Sequence, residues 1–500
     1  MTIGGGVCPL FSSLFGGGWR MSVYVWHDGR SSLLPLLSKF TVQHGASLKK
    51  LHGMKVIIRW CGDDGKLMNE KSRILNHSSY TNLLQDENKI HSILQFHSII
   101  YTPLPRSANY SNRSSYAPLL LTRKEPHYLI PVFLMDALSI FHLVNEDTVS
   151  LKRDYVDTCK FHEVPIEEKT AMLRRLERFA VRVVYAMGLD FACVYAQIKR
   201  SGIVITHIDT NPVESERVNE LFALAVNQYE NEILNDEAQR RSAVFGMDPE
   251  FLLRNAQGKI VPASRFLRAK GDVGYDASTV LGRKEIHPLV ELRPEPSENL
   301  AVLVKNLRRT MWMASNQIKD HSLEWIAGGM PVPGLPLGGH LHMSGIKLTT
   351  QLVRALDNYL ALPLIMIEDT STSGRRKKYG RLGDIRRPSH GGFEYRTLPS
   401  WIVSPRVTKG VLALASLIVQ HYEELVERPL DRPDILIAYK GGNKELLGPI
   451  VQDLWLQLEA TEGYLNHSKH LEPLKNWIME QRKWNEQRDF RVNWRIPPFN

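Results

Sequence analysis

Four short segments in the second half of this 500-residue chain each carry a polar pair at i and i+2. They are Asp248 and Glu250 in GMDPEF, Glu291 and Arg293 in VELRPEP, His340 and His342 in GGHLHMSG, and Glu394 and Arg396 in GGFEYRTLP. Residues two apart on a β-strand share a face. An antiparallel strand with one wet face alternates polar and apolar residues by default, which accounts for any single pair. It accounts less well for four pairs built from acids, histidines and arginines, the types that bind metal and phosphate. Magnesium takes oxygen ligands and bridges carboxylates to substrate phosphates, so several convergent acids with an imidazole suit a nucleotide-magnesium site. Arginine adds planar, bidentate contact to phosphate oxygens. The H-x-H pair also has a rival reading, a zinc hydrolase, because zinc favours imidazole and a catalytic site takes three protein ligands and one open position. The acids outnumber the histidines, which favours magnesium, with manganese and zinc as alternatives.

Those pairs need strands to carry them and helices to back them. SAVFGMDPEFLL reads as a strand, and NAQGKIVPAS as a hairpin leading through Gly271, Gly274 and Asp276 to HPLVELRPEP. Leu300, Leu303, Leu307 and Met311 recur at helical spacing, predicting a helix over 297–318 that covers the back of the sheet. RRKK at 375–378 reads equally as a solvated loop or as part of the site. Upstream, SVYVW, KVIIRW, YLIPVFL and ALSIFHLV have strand character, 167–187 has amphipathic helical spacing, and GLDFACVYAQI with IVITHIDTNPV forms a hairpin of two strands. A charged stretch over about 214–241 predicts a solvated helix that connects two domains, with a boundary near 240. From 432 onward KELLGPIVQDLWLQLEATEGYL and LEPLKNWIMEQRKWNEQ predict helices whose tryptophans serve core packing more than nucleic-acid contact.

Length and composition frame this reading. A chain of 500 residues with 43% hydrophobic content predicts two or three packed domains. A net charge of +10 and a pI near 9.2 suit an anionic partner, and nucleotide, acidic peptide and nucleic acid all qualify on charge alone. Cys8, Cys61, Cys159 and Cys193 have neither metal-type spacing nor a disulfide framework, so a reducing cytoplasm is expected. The longest apolar run, Val411 to Val419, is far short of a membrane span. Residues 1–20 read as a flexible, glycine-bearing extension without the basic start of a secretory signal, and Met21 as an alternative translation start. The chain has no G-x-x-x-x-G-K-[ST] phosphate loop.

In order, GMDPEF, VELRPEP, GGHLHMSG, RRKKYGRLGDIR and GFEYRTLPSW resemble the phage-type COOH.NH2 ligase (type 2) family of the glutamine synthetase-like superfamily, over about 243–420. The resemblance implies an α+β fold with a curved antiparallel sheet and helices on one side. It implies an ATP-dependent ligase in which ATP phosphorylates a carboxylate and an amine displaces phosphate. On this resemblance Asp248, Glu250, Glu291, His340 and Glu394 hold magnesium or manganese, and His340, His342, Arg381 and Arg386 contact the nucleotide. Arg381, Arg386, Arg396 and Glu394 serve the chemistry. The first half resembles the ATP-grasp superfamily in the order of its strands and helix. Where that family places its magnesium acids, this chain has Tyr195, His207 and Asp209, with Asn211 just beyond, so His207, Asp209 and Asn211 are a candidate second site in a domain that has lost its usual acids. Arg123, Lys124, Lys152 and Arg153 are candidate phosphate contacts, and surface bases are the commoner explanation. The expected organisation is an ATP-grasp-like domain over 21–236, an amidoligase domain over 241–431 and a helical region over 432–500. Expected partners are a small-molecule or peptide carboxylate and an amine, with no membrane and no nucleic acid; a noncatalytic binding protein of degenerate ligase domains is the alternative.

Overall fold

Continuous β-branched runs become buried strands in the first half. The computed structural model describes residues 23–46, 54–60, 72–103, 126–145, 159–211, 215–239, 243–276, 279–281, 284–388 and 391–498. The amino-terminal extension, Met21, Cys8, Cys61 and the bases at 123, 124, 152 and 153 lie outside these residues. Strands Val23–Trp26 and Val56–Arg59 occupy the centre of a four-stranded parallel sheet flanked by Gln43–Gly45 and Arg73–Leu75. Runs apolar on both faces are the pattern of covered parallel strands.

A second sheet runs in the order Ile100–Tyr101, Gly202–Asp209, Phe191–Lys199, His127–Phe133, Phe141–Asn145, Cys159–Glu163. Its pairings are antiparallel except at Ile100–Tyr101. Helix Ala171–Ala186, capped by Thr170, buries Leu176, Ala180, Val183 and Val184 against it. Helix Glu216–Gln239 corrects the expectation of a solvated connector. Val218, Phe222, Val226 and Tyr229 form a buried stripe, and Phe222 and Tyr229 meet Phe191 and Phe133 edge-on. The charges that dominate the sequence there occupy the remaining faces of a docked helix.

In the second half, strand Val244–Met247 pairs with Leu341–Ser344, which pairs with Phe393–Tyr395, which pairs with Ile385–Arg386. After Asp248 and Pro249 the same chain resumes as Glu250–Arg254 in another sheet, beside Leu289–Leu292, which in turn pairs with Val273–Asp276. Backbone bonds from Asp248 N to His340 O (3.4 Å) and from Glu250 N to Gly338 O (2.9 Å) join the two sheets, so one crossing strand brings all four polar pairs to a single surface. Behind it, helix Leu300–Gln317 buries Leu303, Leu307, Met311 and Ala314, and helix Pro405–His421 is buried throughout Val411–Val419. Helices Lys444–Ala460 and Tyr464–Met479 add Trp455, Leu471 and Leu474 to that same core. Among the described residues no helix is long and apolar enough to cross a membrane.

Two buried carboxylates fasten the halves together. Asp190 of the first half accepts from Arg354 Nη1 (3.1 Å) and from the Thr350 hydroxyl in the second, with Arg73 at 3.8 Å. Asp357 of the second half accepts from the Tyr185 hydroxyl at 2.7 Å. A buried charge left alone is costly, so each of these acids requires its full set of partners.

Candidate active site

Asp248 lies at the break between the two sheets, where both of its oxygens face imidazoles. His340 Nδ1 is 3.0 Å from Oδ1 and His342 Nε2 is 3.2 Å from Oδ2. Burial works to raise the Asp248 pKa, but the two imidazoles outweigh it and hold the carboxylate well below its usual range. His342 is raised in turn, because Asp248 overcomes the lowering effect of burial. His340 Nδ1 also lies 3.3 Å from Glu394 Oε1, and its Nε2 meets the Tyr379 hydroxyl at 2.8 Å. Glu394 is fully buried, with Arg386 Nη2 at 2.5 Å from Oε2 and Arg396 on Oε1. Arg396 also donates to the Tyr379 hydroxyl (2.7 Å).

Glu250 and Glu291 face each other across adjacent strands. Glu250 Oε2 accepts from Gly338 N (2.6 Å), yet burial pushes its pKa up to about 7. Glu291 is also raised, chiefly by burial and then by Asp248, although Arg293 pairs with it. Burial thus disfavours the charged form of both acids.

Ligand atoms of Asp248, His342 and Glu394 lie within 4.8 Å of one another, the one set of this kind among the described residues. His342 Nε2 and Glu394 Oε2 are buried without a well-directed hydrogen bond, and each faces a charged partner, Asp248 at 3.2 Å and Arg386 at 2.5 Å. Two carboxylates and one imidazole fit magnesium or manganese, and hard oxygen donors weigh against zinc.

Of the site residues expected from sequence, Asp248, Glu250, Glu291, His340, His342, Arg386, Glu394 and Arg396 are brought together. Arg381 is not in this cluster. Its side chain is exposed and its charge bears on Arg182 and Lys440. His207 and Asp209 lie on the last strand of the first-half hairpin, Gly202–Asp209, and Asn211 just beyond it; His207 meets the Tyr195 ring at 5.5 Å and Asp209 accepts from Asn211 N (2.8 Å). Burial raises Asp209 against the hydrogen bond from Asn211 N. His207→Ala is accordingly expected to leave turnover unchanged, which steady-state kinetics beside wild type checks.

The solvated-loop reading of 375–378 is corrected at its first two residues. Arg375 is buried and donates to the carbonyls of Leu337 (2.6 Å), Thr397 (2.8 Å) and Leu398 (2.6 Å), and Arg376 pairs with buried Glu368. Arg375 thereby clamps the segment before His340 to the segment after Arg396. Arg375→Met keeps the apolar stem but strips three buried carbonyls of their donors. It should cost on the order of 3 kcal/mol or more, read from the urea midpoint. Tyr379 went unrecognised in the sequence; its signal was an aromatic residue beside Gly380 within a run of bases. The glycines before His340 have a steric reason: a Cβ at Gly338 would sit 2.2 Å from His340 Nε2, and one at Gly339 2.2 Å from Pro399 O.

Comparisons with known proteins bear on the family of the second half. No curated protein matches the chain in sequence. Solved structures similar to it include D-alanine–D-alanine ligase from Bacillus anthracis complexed with ATP, at 11% identity and TM-score 0.30, covering 42% of this chain and 99% of that one. Others are the ATP-grasp ligase PsnB complexed with minimal precursor (6%, TM-score 0.29, 43% and 99%) and a bifunctional glutathione synthetase from Pasteurella multocida (12%, TM-score 0.29, 51% and 50%). Scores this low carry no conclusion about activity. The family model of the phage phiEco32-like COOH.NH2 ligase-type 2 matches residues 245–496, a span holding every member of the cluster around Asp248. The chain belongs to this family of carboxylate–amine ligases.

Proposed function

We propose that this chain uses ATP and magnesium to activate a carboxylate as an acyl phosphate, which an amine then attacks to form an amide. The observation that carries the reading is the convergence of Asp248, His342 and Glu394 beside Arg386 and Arg396, in a member of a carboxylate–amine ligase family. A carboxylate is a poor electrophile and needs a leaving group. Magnesium held by Asp248, Glu394 and His342, with manganese as an alternative, supplies Lewis-acid neutralisation of phosphate oxygens. Glu250 and Glu291 enlarge the acidic surface, and His340 holds Asp248 and Glu394 in register. Arg386 and Arg396 stand where negative charge develops on the transferred group, and fixed positive groups stabilise such transition states. In this reading the sheet is glutamine synthetase-like. The unit over 241–431 is catalytic, the helices over 432–500 are built onto its core, and the ATP-grasp-like first half over 21–236 docks the substrate.

The test is release of ADP and phosphate by the purified chain with magnesium-ATP, against pools of carboxylates and amines. Turnover that requires both co-substrates and stops on chelation is expected. Amide hydrolysis that proceeds without ATP and is restored by zinc would overturn the assignment.

A further inference from the structure

Helix Ala171–Ala186 turns a second face away from its core. Arg174, Arg178 and Arg182 recur there at i, i+4 and i+8, so they form one stripe, with Arg175 beside it. The stripe lines a cleft of about 530 Å³ whose opposite wall is the segment 381–387, bearing Arg381, Arg386 and Arg387. Three acids line the cleft, and two are already engaged. Glu177 pairs with Lys169 at 2.6 Å, and Asp136 takes a bidentate contact from Arg387 at 2.6 Å. Arg174, Arg175, Arg178 and Arg381 pair with no acid among the described residues. Exposed arginines alone are commonly just solvated, but Arg182 departs from that pattern. Its Nε and Nη2 are buried without a hydrogen bond, and burial and Arg381 push its pKa down to about 10 against the charge of Asp384, the third acid of the cleft. A cleft that gathers unpaired guanidinium groups from both halves is built for an anion.

The geometry narrows the class of anion. Arg386 belongs to the cleft wall and also reaches Glu394 at 2.5 Å, so an occupant of the cleft runs up to the candidate metal ligands. Single-stranded nucleic acid is held by stacking as well as charge. The aromatic ring in the lining, Phe179, instead lies under the Arg182 guanidinium at 5.7 Å. Four helical residues rise ~6 Å, so the stripe presents charges at nearly the ~6.6 Å spacing of alternate side chains along an extended peptide. We propose that this cleft binds an acidic peptide and presents one of its carboxylates to the site around Asp248. The substrate role rests on the ligase reading, and the binding role does not.

The experiment measures fluorescein-labelled hexaglutamate by anisotropy against wild type, Arg174→Glu/Arg178→Glu and Asp248→Asn, with an oligothymidylate of equal charge as competitor. Both reversed residues are exposed, so the double variant should keep its circular dichroism and melting temperature. Hexaglutamate binding that weakens with salt, survives Asp248→Asn and falls at least about tenfold in the double variant is expected. Wild-type affinity in the double variant, no binding to wild type, or tighter binding of oligothymidylate with the same arginine dependence would each overturn the proposal. Arginine-dependent binding without any turnover would sink the ligase reading and leave the acidic-peptide site standing. Turnover on other carboxylates without hexaglutamate binding would do the reverse.

Discussion

Asp248→Asn is expected to lower turnover by on the order of 10³-fold, the scale on which one preorganised charge-stabilising group acts. The substitution is isosteric and leaves an oxygen for His340 Nδ1, 3.0 Å away, so the break between the sheets keeps its packing. What goes is the charge that faces both imidazoles and completes the set with His342 and Glu394. Two readouts separate this from loss of fold. Manganese affinity, followed by electron paramagnetic resonance, should fall steeply while the melting temperature stays close to wild type. The His342 resonance should titrate lower than in wild type, because Asp248 raises it and burial alone would lower it. Undiminished turnover in a folded Asp248→Asn protein would remove the cluster from the mechanism.

The period-2 pairs made this cluster legible in sequence, since alternation fixes which residues share a face whatever the fold around them. The pairs could not reveal that Asp248 sits at a break between sheets and Glu250 opens the second one, because the break depends on hydrogen bonds to 338 and 340, nearly a hundred residues away. Charge runs misled for a related reason. Arg375 and Arg376 look solvated in sequence, yet the carbonyls and the acid that satisfy them come together only on folding. The helix 216–239 misled in the opposite sense: its charges were conspicuous, although Val218, Phe222, Val226 and Tyr229 recur at helical spacing and form its buried stripe. Arg381 lies five residues from Arg386 in the chain, with a turn through Gly383 between them, and only Arg386 reaches Glu394.

Asp357→Ala is expected to cost ~3–5 kcal/mol. The carboxylate accepts from the hydroxyls of Tyr185 and Tyr395 and from Gly383 N, each at 2.7 Å. It thus joins the first-half helix, the strand that carries Glu394 and the turn between Arg381 and Arg386. Burial pushes its pKa up to about 7 against those hydrogen bonds. A folded value above the unfolded 3.8 means that the native state holds the proton more tightly. This contribution is therefore full below the unfolded value and is lost as pH rises through about 7. Urea midpoints of wild type should accordingly fall between acidic and mildly alkaline buffer. Asp357→Asn, which keeps an acceptor but cannot ionise, should flatten that slope, whereas Asp357→Ala should lower the midpoint at every pH. Tyr185→Phe removes one donor and should cost only ~1 kcal/mol. If Asp357→Ala unfolds no more easily than Tyr185→Phe, the joint between the halves is held elsewhere, and Asp190 with Arg354 becomes its principal fastening.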